Sequence, residues 1–290
     1  MGAGDRAHFI CATDATHGMR IALSIEYDGS GFCGWQKQPA GGSLQDAVDA
    51  ALSTMAGHPV QSHCAGRTDA GVHALSQIIH FDTTAERPLT AWVRGVNALL
   101  PWTISVQWAR VVSDAFHARN RAIARAYTYL LLNRPQRPGV HHGRVGWYHK
   151  ALDVERMEQA ARHLLGRHDF SAFRAAQCQA RSPVKQIHRA HVERHGDLVL
   201  FEFRADAFLQ HMVRNLVGCM LSVGDGTQSP AWLHDVIETR DRTQASATFS
   251  PNGLYLTAVE YDPVWGLPSG PKRLPSDAFL SASLNNIVFS

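Results

Sequence analysis

Hydrophobic and polar residues alternate strictly from Met19 to Tyr27, with Met19, Ile21, Leu23, Ile25 and Tyr27 separated by Arg20, Ala22, Ser24 and Glu26. That two-residue period predicts a half-buried strand. Ser43 then precedes Leu44, Val48, Leu52 and Met55, which are spaced as one face of a helix that Gly57 ends. A short apolar run over 60–65 and an alternating run over 75–82 predict two strands with a loop between them. A helix from about Thr90 to Leu99, stopped by Pro101, and a strand over 104–112 complete the order β-α-β-β-α-β.

The second half repeats that order. A strand spans 124–132, with Tyr127 and Tyr129 on one face. Asp153 caps a helix carrying Val154, Met157, Ala161, Leu164 and Leu165, and Gly166 closes it. The stretches 186–193 and 198–204 pair as a hairpin around His195-Gly196-Asp197. A long helix is predicted from about Asp206 to Val223, a short one after Ser229-Pro230, and a last strand over 254–261. Two consecutive units of this kind predict an α+β fold of two ferredoxin-like halves, residues 19–115 and 116–262, each an antiparallel sheet with helices on one face. Residues 1–18 have no period and read as a disordered leader. Residues 263–290, rich in Pro, Ser and Gly, read as a loose tail.

Composition narrows the class. The 290 residues are 45% hydrophobic and 18% charged, which suits a globular chain. No apolar run approaches the ~20 residues of a membrane helix, and no basic-then-apolar secretory signal opens the chain. The five cysteines are scattered and form no C-x-x-C, which argues against a disulfide framework or a thiolate zinc site and fits a reducing cytoplasm. The net charge of +3 is mild, but its distribution is not. From Arg110 to Lys150, eight Lys/Arg face a single acid, Asp114; from Arg174 to Arg194, five face Glu193 alone. Local excesses of this kind suit a phosphate backbone, or else form an ordinary solvated face.

The most unusual stretch is the loop Cys64-Ala65-Gly66-Arg67-Thr68-Asp69-Ala70-Gly71-Val72-His73-Ala74. It places a cation, a hydroxyl and a carboxylate in three consecutive positions between two glycines. A plain turn needs only Asn-Gly or Asp-Gly, so this is either a chemistry-bearing loop or an Asx-turn in which Asp69 caps backbone N–H groups. On the expected long helix, Phe208, Leu209, Met212, Val213, Leu216, Val217 and Met220 form a buried stripe, leaving Gln210, His211 and Arg214 on the polar face. Taken alone, Arg214 there reads as an ordinary solvated charge and Tyr127 as ordinary strand packing. The Gly-rich stretch 28–37 matches neither common nucleotide-phosphate motif, so no nucleotide cofactor is implied.

Tyr27-Asp28-Gly29-Ser30-Gly31 with Gly34-Trp35-Gln36, the Gly66–Ala74 stretch, Phe116–Arg119, Ala124–Tyr127, Asp169-Phe170 with Phe173-Arg174-Ala175, Gln177-Cys178-Gln179 and His211–Asn215 together resemble the tRNA pseudouridine synthase A family, in order and spacing, from about Met19 to Tyr261. The resemblance implies two related halves around a basic cleft, with Asp69 as catalytic nucleophile. It makes Arg214 the partner cation that favours an ionised carboxylate, and Tyr127 the residue stacked on the target base and assisting removal of its C5 proton. Arg67 would fill the space a flipped base leaves. Arg87, Phe116, His117, Arg119, Gln177, Gln179 and Arg181 would contact tRNA, although Asn120, Ala126 and Ala180 depart from the family's usual residues. It further implies a homodimer acting on uridines 38–40 of the anticodon stem-loop, with no metal and no cofactor. Two rivals are a non-catalytic tRNA binder and a metal-dependent hydrolase prompted by 17 histidines, including His141-His142; no H-x-x-x-H or H-E-x-x-H pattern supports the latter.

Overall fold

The alternation at the start of the pattern becomes β1 (Met19–Tyr27), followed by α1 (Leu44–Ala56), β2 (His63–Cys64), β3 (His73–Thr83), α2 (Leu89–Leu99) and β4 (Ile104–Val112). The computed structural model describes residues 18–268. A full capping box starts α1: the Ser43 hydroxyl accepts from the Asp46 N–H, and the Asp46 carboxylate accepts from the Ser43 N–H. Gly57, at φ 75°, closes it from the left-handed region. β1 runs antiparallel between β3 and β4, and β2 adds to the far edge of β3, giving the order β4-β1-β3-β2.

The second half contributes β5 (Ala122–Asn133), β6 (Gly146–Tyr148), α3 (Val154–Arg162), β7 (Gly166–Asp169), β8 (Val184–His195), β9 (Leu198–Ala205), α4 (Met212–Gly224), α5 (Trp232–Thr239) and β10 (Leu254–Tyr261). Its principal strands lie antiparallel in the order β10-β5-β9-β8, so both halves follow the fourth-first-third-second order of a ferredoxin-like unit. The halves do not keep separate sheets. β10 pairs in parallel with β3 through Tyr255 opposite His73 and Leu256 opposite Ala74, and a ten-stranded sheet results. β10 and β2 therefore share one edge of β3 at opposite ends, since β2 pairs only with Ile79 and His80. The loop between β2 and β3 leaves at one of those ends and returns at the other.

One apolar core runs through both halves, and Tyr127, Tyr129 and Leu131 of β5 point into it. Leu130 and Leu132, on the opposite face, join a small second cluster with Val145 and Leu200. α1 packs against α2, and α3 against α4. Among the described residues no helix is long and apolar enough to cross a membrane.

Several boundaries differ from the sequence pattern for visible reasons. β2 is two residues rather than six, because the chain leaves the sheet beyond Ala65, whose N–H donates to the Ile78 carbonyl. α3 ends at Arg162, and Gly166, at φ 98°, opens β7 instead of capping the helix. α4 begins at Met212, six residues after Asp206, because the preceding backbone is bonded elsewhere. The Gln210 N–H donates to Cys178 Sγ at 3.4 Å, and its carbonyl accepts from the Ala175 N–H at 3.1 Å. α5 starts at Trp232, two residues beyond Pro230. The expected loose tail is docked at its start: Pro263–Trp265 form a 3-10 turn, and the Trp265 ring packs edge-on to Phe116 at 5.4 Å. Residues 269–290 and the leader residues 1–17 lie outside the described residues.

Gly29 shows how tightly the first glycine-rich loop is seated on the β2–β3 connection. It is buried, and a Cβ there would stand 2.0 Å from the Val72 carbonyl oxygen, whereas one on Gly31 would meet nothing within 4 Å. Gly29→Ala is therefore expected to cost about 2 kcal/mol and to lower Tm by roughly 5 °C, while Gly31→Ala leaves Tm within about a degree. Thermal unfolding followed by circular dichroism checks the pair.

Candidate active site

The loop between β2 and β3 is held from both sides. The Trp35 N–H donates to the Thr68 carbonyl at 2.9 Å, and Gly34, at φ 104°, lets that backbone approach: a Cβ there would lie 3.0 Å from the same oxygen. Buried Thr68 turns its hydroxyl inward to the Tyr27 hydroxyl at 2.8 Å. The Gln77 side chain, fully buried on β3, brackets Gly66, accepting from its N–H at 3.3 Å and donating to its carbonyl at 2.5 Å. The Val72 N–H closes a turn onto the Asp69 carbonyl at 3.1 Å, with Gly71 at φ 78° in the third position, as a type II turn requires. The side chains of Arg67 and Asp69 are left facing outward from a rigid support.

They face a cleft of about 590 Å³. Asp69, Arg67, Tyr127, Arg214, Arg119, Gln177 and Gln179 all line it, although Asp69 and Arg214 are 145 residues apart in the chain. Arg214, in the first turn of α4, donates from one terminal nitrogen (Nη1) to Asp69 Oδ2 at 3.2 Å. Its Nε donates to the Phe249 carbonyl at 2.8 Å, and the Phe249 N–H donates back to the Arg214 carbonyl at 3.3 Å. The guanidinium is thus fixed by the protein's own backbone. Asp69 retains about a fifth of its side-chain surface and Arg214 about a seventh, so the pair is partly desolvated.

Tyr127 stands on β5 opposite Leu256 of β10 and Phe203 of β9, its ring edge-on to Phe208 at 5.2 Å. A Cβ on Gly66 would lie 3.7 Å from its hydroxyl, which places that hydroxyl beside the Asp69 loop. Burial pushes the hydroxyl's pKa well above its ordinary value; the nearby Arg125 charge opposes this and the Asp69 carboxylate adds to it. Tyr127 is accordingly a neutral phenol, suited to packing on a flat ring.

The remaining expected contacts divide. Arg87 and Arg181 are exposed and do not line this cleft, although Arg181 directly follows the lining residue Ala180. Phe116 is fully buried between His80, Tyr261 and Trp265, so its ring is core and offers no surface to an RNA. His117 is half-buried and turns Nδ1 back to accept from the Arg119 and Asn120 N–H groups at 3.2 and 3.4 Å; it shapes the turn that carries Arg119. Arg125, counted in the sequence only as one of eight basic residues, is half-buried and also lines the cleft. It donates to the carbonyls of Ala65 and Arg119, which line the cleft, and of Asp206, the residue before the lining Ala207. No sequence signal separates this arginine from its exposed neighbours, because burial is settled by packing. His211, placed on a helix face by periodicity, instead reaches Asp69 from the loop ahead of α4, with Nε2 3.5 Å from Oδ2. Among the described residues no group of three or more His, Cys, Asp or Glu is arranged to hold a metal ion.

A family model described as tRNA pseudouridine synthase matches residues 23–119 and 160–262, which include the Asp69 loop and Arg214. The chain belongs to that family. The tRNA pseudouridine synthase A of Dechloromonas aromatica is 57% identical over 266 residues, covering 92% of this chain and all of that one. The namesake from Thiobacillus denitrificans is 58% identical over 257 residues, covering 89% of this chain and 99% of its own. That of Chromobacterium violaceum is 57% identical over 252 residues, covering 87% and 96%.

Burial acts on every tyrosine in the chain. All six, Tyr27, Tyr127, Tyr129, Tyr148, Tyr255 and Tyr261, have their hydroxyls pushed upward, Tyr148 least, to about 12. The folded protein is therefore expected to develop almost no tyrosinate absorbance at 295 nm by pH 10.5, whereas the urea-unfolded chain ionises near pH 10. The fold holds protons that the unfolded chain releases, so stability is intact below about pH 10 and falls as the pH rises beyond it. A spectrophotometric titration with and without urea checks this.

Proposed function

We propose that this protein isomerises uridine to pseudouridine in the anticodon stem-loop of tRNA, at positions 38 to 40, with Asp69 as nucleophile and without metal or cofactor. The observation that carries the reading is the Asp69–Arg214 pair at 3.2 Å, opening on a cleft that Tyr127 also lines. The reaction breaks the N1–C1′ bond, turns the base and joins C5 to C1′; C5 loses a proton, N1 gains one, and no co-reactant is consumed. A carboxylate held in a partly dry site by a fixed cation suits attack on the nucleotide. Tyr127, which lines the cleft beside the Asp69 loop, serves as the platform for the flipped base and assists removal of the C5 proton. Arg67, exposed on the same loop, occupies the space the base vacates and offsets part of the unstacking cost.

Arg119, Gln177 and Gln179 extend the contact to the RNA backbone from the cleft walls, and exposed Arg87 and Arg181 meet more distant phosphates. Two copies of the chain acting together, in the cytoplasm, let one subunit hold the tRNA while the other modifies it. Light scattering tests the dimer: an active monomer would end that part of the reading. The two halves, 19–115 and 116–262, supply the Asp69 loop and the Tyr127–Arg214 wall respectively.

The test is conversion of uridine in unmodified tRNA in the presence of EDTA. Wild type is expected to convert. Asp69→Asn should lose more than roughly 10³-fold in rate while binding tRNA within about threefold of wild type. Arg214→Gln should lose on the order of 10²-fold, and a transcript lacking uridine at positions 38 to 40 should stay unmodified. Equal binding with no conversion by wild type would make the protein a tRNA binder, and loss of conversion in EDTA would reinstate a metal.

A further inference from the structure

Only two residues other than glycine have a left-handed backbone among the described residues, His211 at φ 63° and Arg240 at φ 54°. Arg240 is the left-handed cap that ends α5, an ordinary place for that conformation. His211 stands at the opposite kind of site, immediately before α4. A residue there is usually extended and caps the helix with its side chain, but His211 makes no capping hydrogen bond. The conformation costs free energy and is not offset locally. Its visible result is the direction of the imidazole, which lines the cleft with Nε2 3.5 Å from Asp69 Oδ2.

That oxygen is also the one to which Arg214 donates. Both basic side chains fall on Oδ2, and among the described residues no hydrogen bond reaches Oδ1. We propose that His211 is a positioning residue for Asp69. With Arg214 it fixes the carboxylate through Oδ2, so that Oδ1 is the oxygen presented to the substrate. The substrate part of this statement rests on the synthase reading; the His211–Asp69 contact does not. At 3.5 Å the contact is electrostatic in the free protein, and hydrogen bonds of this kind often tighten only when substrate is bound.

Two variants separate the side chain from the backbone. His211→Gly relieves the left-handed strain but removes the ring; His211→Gln keeps an N–H donor of similar reach on a backbone that glycine suits better. Single-turnover conversion of uridine, with enzyme in excess of tRNA, should fall tenfold or more in the glycine variant and at most about threefold in the glutamine variant. Tm should rank the other way, with glycine equal to or above wild type and glutamine below it. A purely structural role would make rate follow Tm; that result, or a glycine variant within threefold of the wild-type rate, overturns the proposal. Imidazole ¹⁵N spectra test the contact without turnover, the His211 signal being assigned by its absence from His211→Gly. Asp69→Ala should shift the His211 Nε2 resonance, and an unchanged resonance overturns the proposal. Should wild type bind tRNA without converting it, the synthase reading falls, and the ¹⁵N result still decides the contact.

Discussion

Two pairs of residues hold this molecule's design together: Tyr255 opposite His73, and Leu256 opposite Ala74. Through them β10 is inserted beside β3, and the sheet of one half continues into that of the other. Parallel pairing leaves short ladders weak, so the join is reinforced by side chains. His73 is buried at it, stacked on Tyr255 with centroids 4.6 Å apart. Its Nδ1 accepts from the Gly29 N–H at 3.1 Å, and its Nε2 lies 3.0 and 3.1 Å from the carbonyls of Gly143 and Asn252. Burial lowers the His73 pKa, and the neutral ring suits this role: one nitrogen accepts while the other donates. One imidazole thus ties the first glycine-rich loop, the 143 loop and the turn before β10 to the end of the Asp69 loop.

From that join the site follows. β3 carries Gln77, which grips Gly66; β5, next to β10, carries Tyr127; and the turn before β10 supplies the Phe249 carbonyl that orients Arg214. A carboxylate from one half and a guanidinium from the other meet only because the sheet is continuous. A half-buried carboxylate without that partner would bear a desolvation cost with nothing to offset it, and a buried arginine facing no anion would do the same. Each half is thus electrostatically incomplete alone at this point, and the cleft lies where they complete each other.

The cleft is held largely by backbone bonds rather than by apolar packing at its surface. Arg125 gathers carbonyls from three segments, Gln210 is stitched to the Ala175–Cys178 turn, and Trp35 supports Thr68. These contacts use directional groups that would otherwise need water. They leave the side chains of Arg67, Arg119, Gln177 and Gln179 exposed along the cleft.

The sequence by itself determined the order of the longer elements, though not the short β6 and β7, because period-two and helical stripes survive wherever one face is buried; α1, β4 and β10 appear at nearly the expected residues. It also determined the Asp69 loop, whose cation, hydroxyl and carboxylate between glycines no ordinary turn requires, and a resemblance specific enough to name Tyr127 and Arg214. Tertiary structure alone decided the rest. Periodicity carried the α4 helix back to Asp206, because Phe208 and Leu209 fit the stripe; only the bonds that Gln210 makes to a distant turn break the helix and free His211 to face Asp69. Phe116 looked like part of a contact segment, but Trp265 from the far end of the chain covers it. Exposed Arg119 and half-buried Arg125 read alike in sequence, since local patterning records which face of an element is apolar and not which distant segment will cover it.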